Sequence, residues 1–486
     1  EGEGMSMDAE KLARIDRMLN PKTMVVIGDK RQGDYMWLRA QQNFTGQCYS
    51  VQIDEREIPG ILELGYQNFK SIHDVPGEID FAIVAVPRQV APIVLKDLIE
   101  RRVGGAAFFT SGFRETGEQL GIELQDRLTQ MAREADFLMI GPNCMGLYNR
   151  RLGVRFQVDL PTGDAGTFGF VSQSGTHAIN FGQVGSVQGI KVSKCISTGN
   201  SVVLEATDWL DYLGQDAETQ FIGMYVEGLR DGRRFFDLLK EITPRKPVVI
   251  LKGGQTAQGQ RATASHTASL AEPMSIWDAI YKQTGAIRAD SFDELIDAAK
   301  AVSMITPTTA NRVGLFSQTG GQSVVVTDAF AKVGMEVPLL SDVSYERLGA
   351  FFNIVGGSFR NPIDMGQNWT GEESFANILQ ILDEDPVIDI IVLEILVSFM
   401  WRRWERRPEL QDALFGSIRA FRERSRKPIL VVLPTTHRER ETIDVKNKLL
   451  EYDITSFPSF DRAARALKKA IDYHRFRAEA GRGVNS

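Results

Sequence analysis

The sequence contains short, uninterrupted apolar runs, rich in β-branched residues, that alternate with longer amphipathic stretches. Hydrophobicity that is continuous rather than alternating indicates strands covered on both faces, as in parallel sheets flanked by helices. The strand-like runs are Met24–Ile27, Phe81–Val86, Ala106–Phe109, Phe137–Ile140, Thr167–Val171, Lys191–Ile196, Phe221–Val226, Val248–Leu251, Val313–Phe316, Ile388–Leu396 and Ile429–Leu433. Helical stretches such as Ala91–Arg102 and Phe292–Met304 lie between them. The pattern predicts an α/β protein of three doubly wound units.

A chain of 486 residues is too long for one ordinary core, so several domains are expected. One boundary is expected near Asn149–Gly153, after the fourth strand of the first unit, and another at the Pro/Thr-rich linker Ile305–Ala310. The predicted domains are 1–150, 151–305 and 306–486.

The last two predicted domains begin alike. Phe168–Asn180 reads FGFVSQSGTHAIN and Val313–Val325 reads VGLFSQTGGQSVV. A strand, then SQ(S/T)G, then a helix therefore occurs twice, which indicates an internal repeat of related folds.

Composition excludes several functions. The net charge of −7 gives no support for nucleic-acid or anionic-membrane binding. Three distant cysteines fit a reducing cytoplasm, and five histidines without HxxxH or HxH spacing predict no metal site. The acidic N-terminus lacks the apolar core of a signal peptide, and the longest apolar run, Ile388–Leu396, is too short to span a bilayer. A cytoplasmic protein is expected.

One histidine, His266, stands in the small-residue stretch Lys252–Leu270, KGGQTAQGQRATASHTASL. Because this stretch contains Gly253, Gly254 and Gly259, a helix is not expected, and a long loop after a buried strand is predicted. An imidazole on such a loop can accept a phosphoryl group and pass it on. The alternative is a flexible surface loop with an incidental histidine.

Two Gly- and hydroxyl-rich turns, Ser172–Thr176 and Ser317–Gln322, join a strand to a helix. Free backbone N–H groups and the positive helix end make such a turn an anion site, although ordinary N-capping explains one copy equally well. Two copies favour at least one anion site.

Glu227 ends a strand, so its carboxylate is expected at the ligand crevice of an open sheet, where it can orient an imidazole. A solvated strand-end acid is the alternative. The turn Ser197–Asn200, STGN, either lines the same crevice or is a simple loop.

Several turns of the first unit follow strands. They contain Gly28, Val86 with Pro87, Thr110–Phe113 (TSGF) and Gly141–Asn143 (GPN). Their convergence on one crevice suggests a nucleotide-like ligand whose phosphates Lys30 and Arg31 neutralise. The glycines do not match GxGxxG, which disfavours a nicotinamide dehydrogenase.

Taken together, these motifs resemble the NDP-forming acyl-CoA synthetases, relatives of the succinyl-CoA synthetase α subunit. The resemblance runs from about Leu19 to about Leu433. It rests on Val86-Pro87, SGFRETGEQ, GPNCMGLYN, FVSQSGTHA, STGN, YVEGLRDGRRF, LKGG with ASHTASLA, FSQTGG and NPIDM, in the order of the family.

The resemblance implies a Rossmann-like CoA-binding domain followed by two flavodoxin-like domains. It implies that His266 is the catalytic phosphohistidine and that Glu227 orients it. The helix N-terminus that cradles phosphate is matched by Ser174, Gly175 and Thr176. The positions that match CoA-binding residues are Gly28, Val86, Pro87, Ser111, Gly112 and Asn143.

The resemblance implies that acid, CoA and ATP or GTP give acyl-CoA, NDP and phosphate, through a phosphohistidine and an acyl phosphate. No Gly-rich ATP-grasp domain follows the third domain, so the nucleotide and its Mg²⁺ are expected on a separate β subunit of a hetero- or homo-oligomer. Two departures from the family are Ala268, where glycine is usual, and the first turn GDKRQGD, which brings Asp29 near phosphates.

Other functions remain open from the sequence. One is a non-catalytic or regulatory subunit that binds CoA or acyl-CoA. Another is a related carbamoyl- or acyl-transferring subunit that works without nucleotide. The identity of the acid is not encoded in any motif.

Overall fold

The computed structural model describes residues 6–267, 273–366, 368 and 372–483, and the chain divides into two compact units, Glu1–Leu295 and Ile296–Ser486. The first unit contains two six-stranded sheets. The second unit contains one five-stranded sheet. No helix in the described ranges is both long and apolar enough to cross a bilayer.

The first sheet is entirely parallel, in the order β3-β2-β1-β4-β5-β6. Its strands are β1 (Thr23–Ile27), β2 (Gln47–Val51), β3 (Asn68–Phe69), β4 (Phe81–Val84), β5 (Ala106–Phe108) and β6 (Met139–Ile140). The helices around it are α1 (Ala9–Leu19), α2 (Met36–Ala40), α3 (Ile58–Glu63), α4 (Ala91–Glu100) and α5 (Gln119–Glu134), with 3₁₀ turns at Arg31–Gly33, Ile72–Asp74 and Arg114–Thr116.

The second sheet has the order β12-β11-β10-β8-β9-β7. Its strands are β7 (Gly146–Asn149), β8 (Phe168–Ser172), β9 (Val192–Ser197), β10 (Phe221–Val226), β11 (Val248–Lys252) and β12 (Ile287–Ala289). The helices that follow these strands are α6 (Gly175–Val187), α7 (Ala206–Gln215), α8 (Gly232–Ile242), α9 (Ala257–Thr267), α10 (Met274–Thr284) and α11 (Phe292–Met304).

The sheet of the second unit is parallel, in the order β14-β13-β15-β16-β17. Its strands are β13 (Val313–Ser317), β14 (Ile363–Asp364), β15 (Ile390–Glu394), β16 (Ile429–Val432) and β17 (Ser456–Phe457). Its helices are α12 (Gly320–Lys332), α13 (Asp342–Gly349), α14 (Glu372–Glu384), α15 (Val397–Arg406), α16 (Pro408–Arg424), α17 (Glu439–Leu450) and α18 (Phe460–Gly483).

The predicted α/β class is confirmed, but three local expectations are wrong. The first sheet has six strands rather than four, because β2 contains the polar residues Gln47 and Ser50 and β3 is two residues long, so neither forms a continuous apolar run. The second sheet is not purely parallel, since β7 pairs antiparallel with β9. The expected loop at Lys252–Leu270 contains helix α9.

Helix α9 forms because only one of the three glycines lies inside it. Gly253 and Gly254 precede the helix, and Gly259 alone lies within it, at a cost of about 1 kcal/mol. The Thr256 hydroxyl accepts the Gly259 N–H at 3.1 Å and so caps the first turn. Alanine, glutamine and arginine, which favour helix, fill much of the remainder.

Aromatic packing fixes the start of α6 at the end of β8. The rings of Phe170 on β8 and Phe181 on α6 stack with centroids 3.9 Å apart, and both side chains are fully buried. Burying a side chain of this size contributes about 2 kcal/mol. The N-terminus of α6 is therefore held at the carboxyl edge of the second sheet, where ligands bind in open α/β folds.

Candidate functional site

An open cavity of about 450 Å³ lies at the carboxyl edge of the first sheet. The turns after β1, β4 and β5 converge there, as predicted, whereas the predicted turn Gly141–Asn143 after β6 is not part of the lining. The lining residues are Gly28, Asp29, Lys30, Gln32, Gly33, Met36, Trp37, Ala85, Val86, Pro87, Arg88, Phe109, Thr110 and Ser111. Five of the predicted CoA-binding residues line the cavity, whereas Gly112 and Asn143 do not.

Gly28 cannot be replaced without moving the neighbouring turn. Its φ of +84° lies in the region that favours glycine, and a Cβ there would stand 2.6 Å from Val86 Cγ1. The two turns therefore approach each other at the floor of the cavity, where the backbone is open to a ligand.

Asp29 lines this cavity, but its carboxylate is turned toward backbone amides. Oδ2 accepts the Leu38 N–H of α2 at 2.9 Å and Oδ1 accepts the Lys30 N–H at 3.1 Å. Burial raises the pKa of Asp29 to about 6, against the opposing effect of these hydrogen bonds. Asp29 therefore anchors the turn and is partly protonated near pH 6.

Asn200 of the STGN turn joins the loops around the first cavity. Its Nδ2 donates to Glu115 Oε2 at 2.7 Å, and its Oδ1 accepts from Asn143 Nδ2 at 3.4 Å. Glu115 Oε1 also accepts the Gly112 N–H at 2.7 Å. Gly112 and Asn143 thus belong to the network that ties the second sheet to the first, and STGN is more than a simple loop.

The N-terminus of α6 has unused donors. Ser174 is the N-cap, and its Oγ accepts the His177 N–H at 3.3 Å. In the described part of the chain, the N–H groups of Gly175 and Thr176 donate no hydrogen bond. Free N–H groups at the positive end of a 13-residue helix form an anion site.

Glu227 lies just beyond β10, two residues from Tyr225 and on the same face of the strand. It is 5% exposed, and its Oε2 has no hydrogen-bond partner. A Cβ on Gly253, at the end of β11, would stand 2.7 Å from the Tyr225 hydroxyl and 3.2 Å from Glu227 Cγ. Glycine at this position therefore allows both side chains to close over the strand end.

The backbone around Glu227 is fixed by two polar side chains that the sequence analysis did not single out. Gln173 Oε1 accepts the N–H groups of Glu227 and Gly228, and its Nε2 donates to the Gly228 carbonyl at 2.9 Å. Buried Lys252 donates to the Glu227 carbonyl at 2.8 Å. The glutamine of the repeated SQ pair was the available signal for this role.

The backbone of His266 lies in α9, while its side chain and Ala268 lie outside the described part of the structure. Helix α9 follows β11 and packs beside the 3₁₀ turn Arg114–Thr116. The helix that carries His266 is therefore next to the SGFRETGEQ loop of the first sheet.

The related turn in the second unit, Ser317–Gln322, keeps the glutamine contact of the first copy but has carboxylates at the start of its helix, α12. Gln318 Oε1 accepts the Leu396 N–H at 3.0 Å, as Gln173 does with Glu227. However, fully buried Glu394 accepts the Gln318 N–H at 2.9 Å, and burial raises the pKa of Glu394 to about 7. The carboxylate of Asp364 lies 3.3 Å from where a Cβ would stand on Gly320. Carboxylates thus occupy this helix start, and α6 is the better anion site of the two.

Comparisons with known proteins agree with this organisation. Residues 22–150 match the CoA binding domain family, and residues 165–302 match the succinyl-CoA ligase like flavodoxin domain.

The chain is similar along its whole length to a known ligase subunit. The α subunit of acetate–CoA ligase (ADP-forming) II from Pyrococcus furiosus is 30% identical over 477 residues, which cover 97% of this chain and 100% of that protein. The acetate–CoA ligase (ADP-forming) I of Archaeoglobus fulgidus is 31% identical over 78% of this chain, which corresponds to 54% of that longer protein.

The solved acetyl-coenzyme A synthetase 1 of Ca. Korarchaeum cryptofilum, in complex with phosphate and ADP, has a TM-score of 0.82. It is 26% identical, and the match covers 96% of this chain and 98% of that one. The chain therefore belongs to the α subunits of the NDP-forming acyl-CoA synthetases, a family of acid–thiol ligases.

Proposed function

We propose that this chain forms acyl-CoA from a small carboxylic acid and CoA, with His266 carrying a phosphoryl group between the acid and a nucleotide. Acetate is the first candidate acid, since the relatives from P. furiosus and A. fulgidus are acetate–CoA ligases. The proposed domains are 1–150 for CoA, 151–305 for the phosphohistidine and 306–486 for the repeated fold.

The cavity of the first sheet is the proposed CoA site. Gly28, Val86, Pro87 and Ser111 supply close backbone approach, and Lys30 supplies a cation for the phosphates. Gly112 and Asn143 do not line the cavity. They hold the loops around it through hydrogen bonds to Glu115 and Asn200. Helix α9 lies beside the 3₁₀ turn Arg114–Thr116 of the first sheet, which supports transfer of a phosphoryl group between His266 and an acyl group held near this cavity.

The observation that carries the proposal is the buried carboxylate of Glu227 with its unpartnered Oε2. Leaving a buried acceptor unpaired costs about 1–3 kcal/mol, so the arrangement favours a donor that arrives during the reaction. A protonated nitrogen of the His266 imidazole is such a donor. Ser174 and the free N–H groups of Gly175 and Thr176 then stabilise the phosphoryl oxygens.

The steps balance without a redox change. An imidazole nitrogen attacks the γ-phosphorus of ATP or GTP, and NDP leaves. A carboxylate oxygen of the acid next attacks the phosphohistidine, which regenerates the imidazole and gives an acyl phosphate. The CoA thiolate then attacks the acyl carbonyl, and phosphate leaves. The nucleotide and Mg²⁺ are assigned to an ATP-grasp partner subunit, and this chain supplies positioning and charge stabilisation.

The reverse half-reaction tests the proposal without the partner. We expect the purified chain, incubated with acetyl-CoA and radiolabelled phosphate, to retain up to one acid-labile, base-stable phosphate per chain. The same protein with acetyl-CoA omitted is the control. If the chain binds CoA but takes up no label with any short acyl-CoA, it is instead a CoA-binding or regulatory subunit.

Asp29 predicts how CoA affinity changes with pH. The ionised carboxylate repels the CoA phosphates, so affinity should be higher below pH 6 and fall as pH rises through about 6. Asp29→Asn keeps an acceptor for one of the two backbone N–H groups and removes the charge, so it should abolish this pH dependence and bind CoA roughly three- to tenfold tighter at pH 7.5. Calorimetric titration from pH 5 to 8 checks the result. The ligand is dephospho-CoA, because the 3′-phosphate of CoA itself loses a proton at about pH 6 and would obscure the titration of Asp29. An equal pH dependence in Asp29→Asn would contradict it.

A further inference from the structure

His177 has a fixed position between two aromatic rings. It lies in the first turn of α6, three residues after the N-cap Ser174. The centroid of its imidazole is 4.3 Å from that of Tyr225, edge to face, and 5.3 Å from that of Phe292, nearly parallel. The two neighbouring rings fix the plane of the imidazole.

The two nitrogens of this ring differ. Nδ1 is buried and has no hydrogen-bond partner. In the described part of the chain Nε2 makes no hydrogen bond either, yet it is not among the buried unpartnered atoms, so a ligand or water can reach it. Burial lowers the pKa of His177, which keeps the ring neutral at pH 7. A buried N–H at Nδ1 would have no acceptor, whereas an N–H at Nε2 can meet water or a ligand, which favours the tautomer with the proton on Nε2.

Packing alone does not explain an imidazole here. A phenylalanine would fill the space between Tyr225 and Phe292 without leaving a buried nitrogen unpaired, and an unpaired polar atom costs free energy. A hydrogen-bond donor at Nε2 is what the imidazole adds over an apolar ring.

His177 directly follows Gly175 and Thr176, whose free N–H groups form the proposed phosphoryl site. Side chains of an α-helix generally point back toward its N-terminus, which for a residue in the first turn is the end that carries the free N–H groups of Gly175 and Thr176. The Tyr225 ring contacts His177, and its hydroxyl lies next to Glu227, so one layer of side chains joins the helix start to the carboxylate. The Glu227 carboxylate also contributes to the raised pKa of Tyr225, after burial.

We propose that His177 is a further binding residue of the phosphoryl site, whose neutral Nε2–H donates a hydrogen bond to an oxygen of the phosphoryl group at the start of α6. This inference rests on the proposed function. The donor complements the backbone N–H groups, which stabilise the same oxygens as charge develops on them in the transition state.

Three substitutions test this role in the reverse half-reaction with acetyl-CoA and radiolabelled phosphate. His177→Phe keeps the ring and removes the donor, His177→Gln places an amide near the position of Nε2, and His177→Asn places one near Nδ1. We expect His177→Phe and His177→Asn to phosphorylate about 10- to 100-fold more slowly, with His177→Gln within about threefold of the wild type. The Tm of His177→Phe should not fall.

The outcomes separate the two proposals. If the wild-type chain takes up no phosphate, the proposed function fails. If the wild type is labelled and His177→Phe is labelled at the same rate, only the role of His177 is overturned. An equal loss in all three variants with a lower Tm would also overturn it, because His177 would then act through packing.

Discussion

His266→Ala is expected to abolish acid-labile phosphorylation and to lower the kcat of acyl-CoA formation by at least about 10⁴-fold. Alanine offers no nitrogen to phosphorus, and no other side chain of the proposed mechanism accepts the phosphoryl group. CoA binding should be unchanged within about twofold, since the contacts proposed for CoA come from Gly28, Lys30 and the other described residues that line the cavity of the first sheet.

The measurement is mass spectrometry of the chain after incubation with ATP, Mg²⁺ and an ATP-grasp partner, followed by steady-state assay. His437→Ala is the matched control, because His437 is exposed and lies in the second unit. Normal turnover in His266→Ala would reject the phosphohistidine. A phosphate found on His437 would reassign the acceptor.

The α/β architecture can be predicted from the sequence because strands buried on both faces of a sheet are continuous apolar runs. Strands such as β8 and β10 consist largely of apolar residues. Strand β2, QCYSV, contains Gln47 and Ser50, and β7, GLYN, has only two apolar side chains between a glycine and an asparagine. Strands like these depend on pairing with a neighbour rather than on their own hydrophobicity, so local pattern does not predict them.

The missed helix α9 shows a limit of counting glycines. The stretch has no bulky apolar residue, so periodicity gives no helical signal. What decides the outcome is where the glycines lie: two precede the helix, and the cap at Thr256 starts it after them. Propensity averaged over the whole stretch hides that boundary.

The composition of the candidate site was only partly predictable. Glu227 and Ser174 stand at strand and helix ends, which the sequence reveals. The contribution of Tyr225 and Gly253 depends on β10 and β11 being neighbours in register, and that of Asn200 depends on a contact with a loop far away in the chain. Such partners arise from tertiary structure and have no local signature.

Glu227→Gln should slow phosphoryl transfer by about 10²- to 10³-fold without weakening CoA binding. The substitution keeps the shape of the side chain and removes the charge. It can also place an NH₂ group where the proposed imidazole N–H needs an acceptor. Because the site is buried, the lost interaction is poorly replaced by water.

The effect should appear mainly in kcat, since Glu227 acts on the histidine rather than on bound CoA. Glu241→Gln on α8 is the control, because Glu241 is exposed and pairs only locally, with Arg245 in the turn that follows the helix. Both variants should keep the wild-type Tm to within a few degrees, as Gln173 and Lys252 hold the main chain of residue 227 and not its carboxylate.

Comparing the two half-reactions then tells what Glu227 does. If the carboxylate orients the imidazole, Glu227→Gln slows phosphorylation from ATP and from acetyl-CoA plus phosphate by similar factors, because both need the same ring orientation. If it instead contacts only the acid or its phosphate, the ATP half-reaction stays fast and the acyl half-reaction alone is impaired. Wild-type rates in both would mean that the unpartnered oxygen has no part in the transfer.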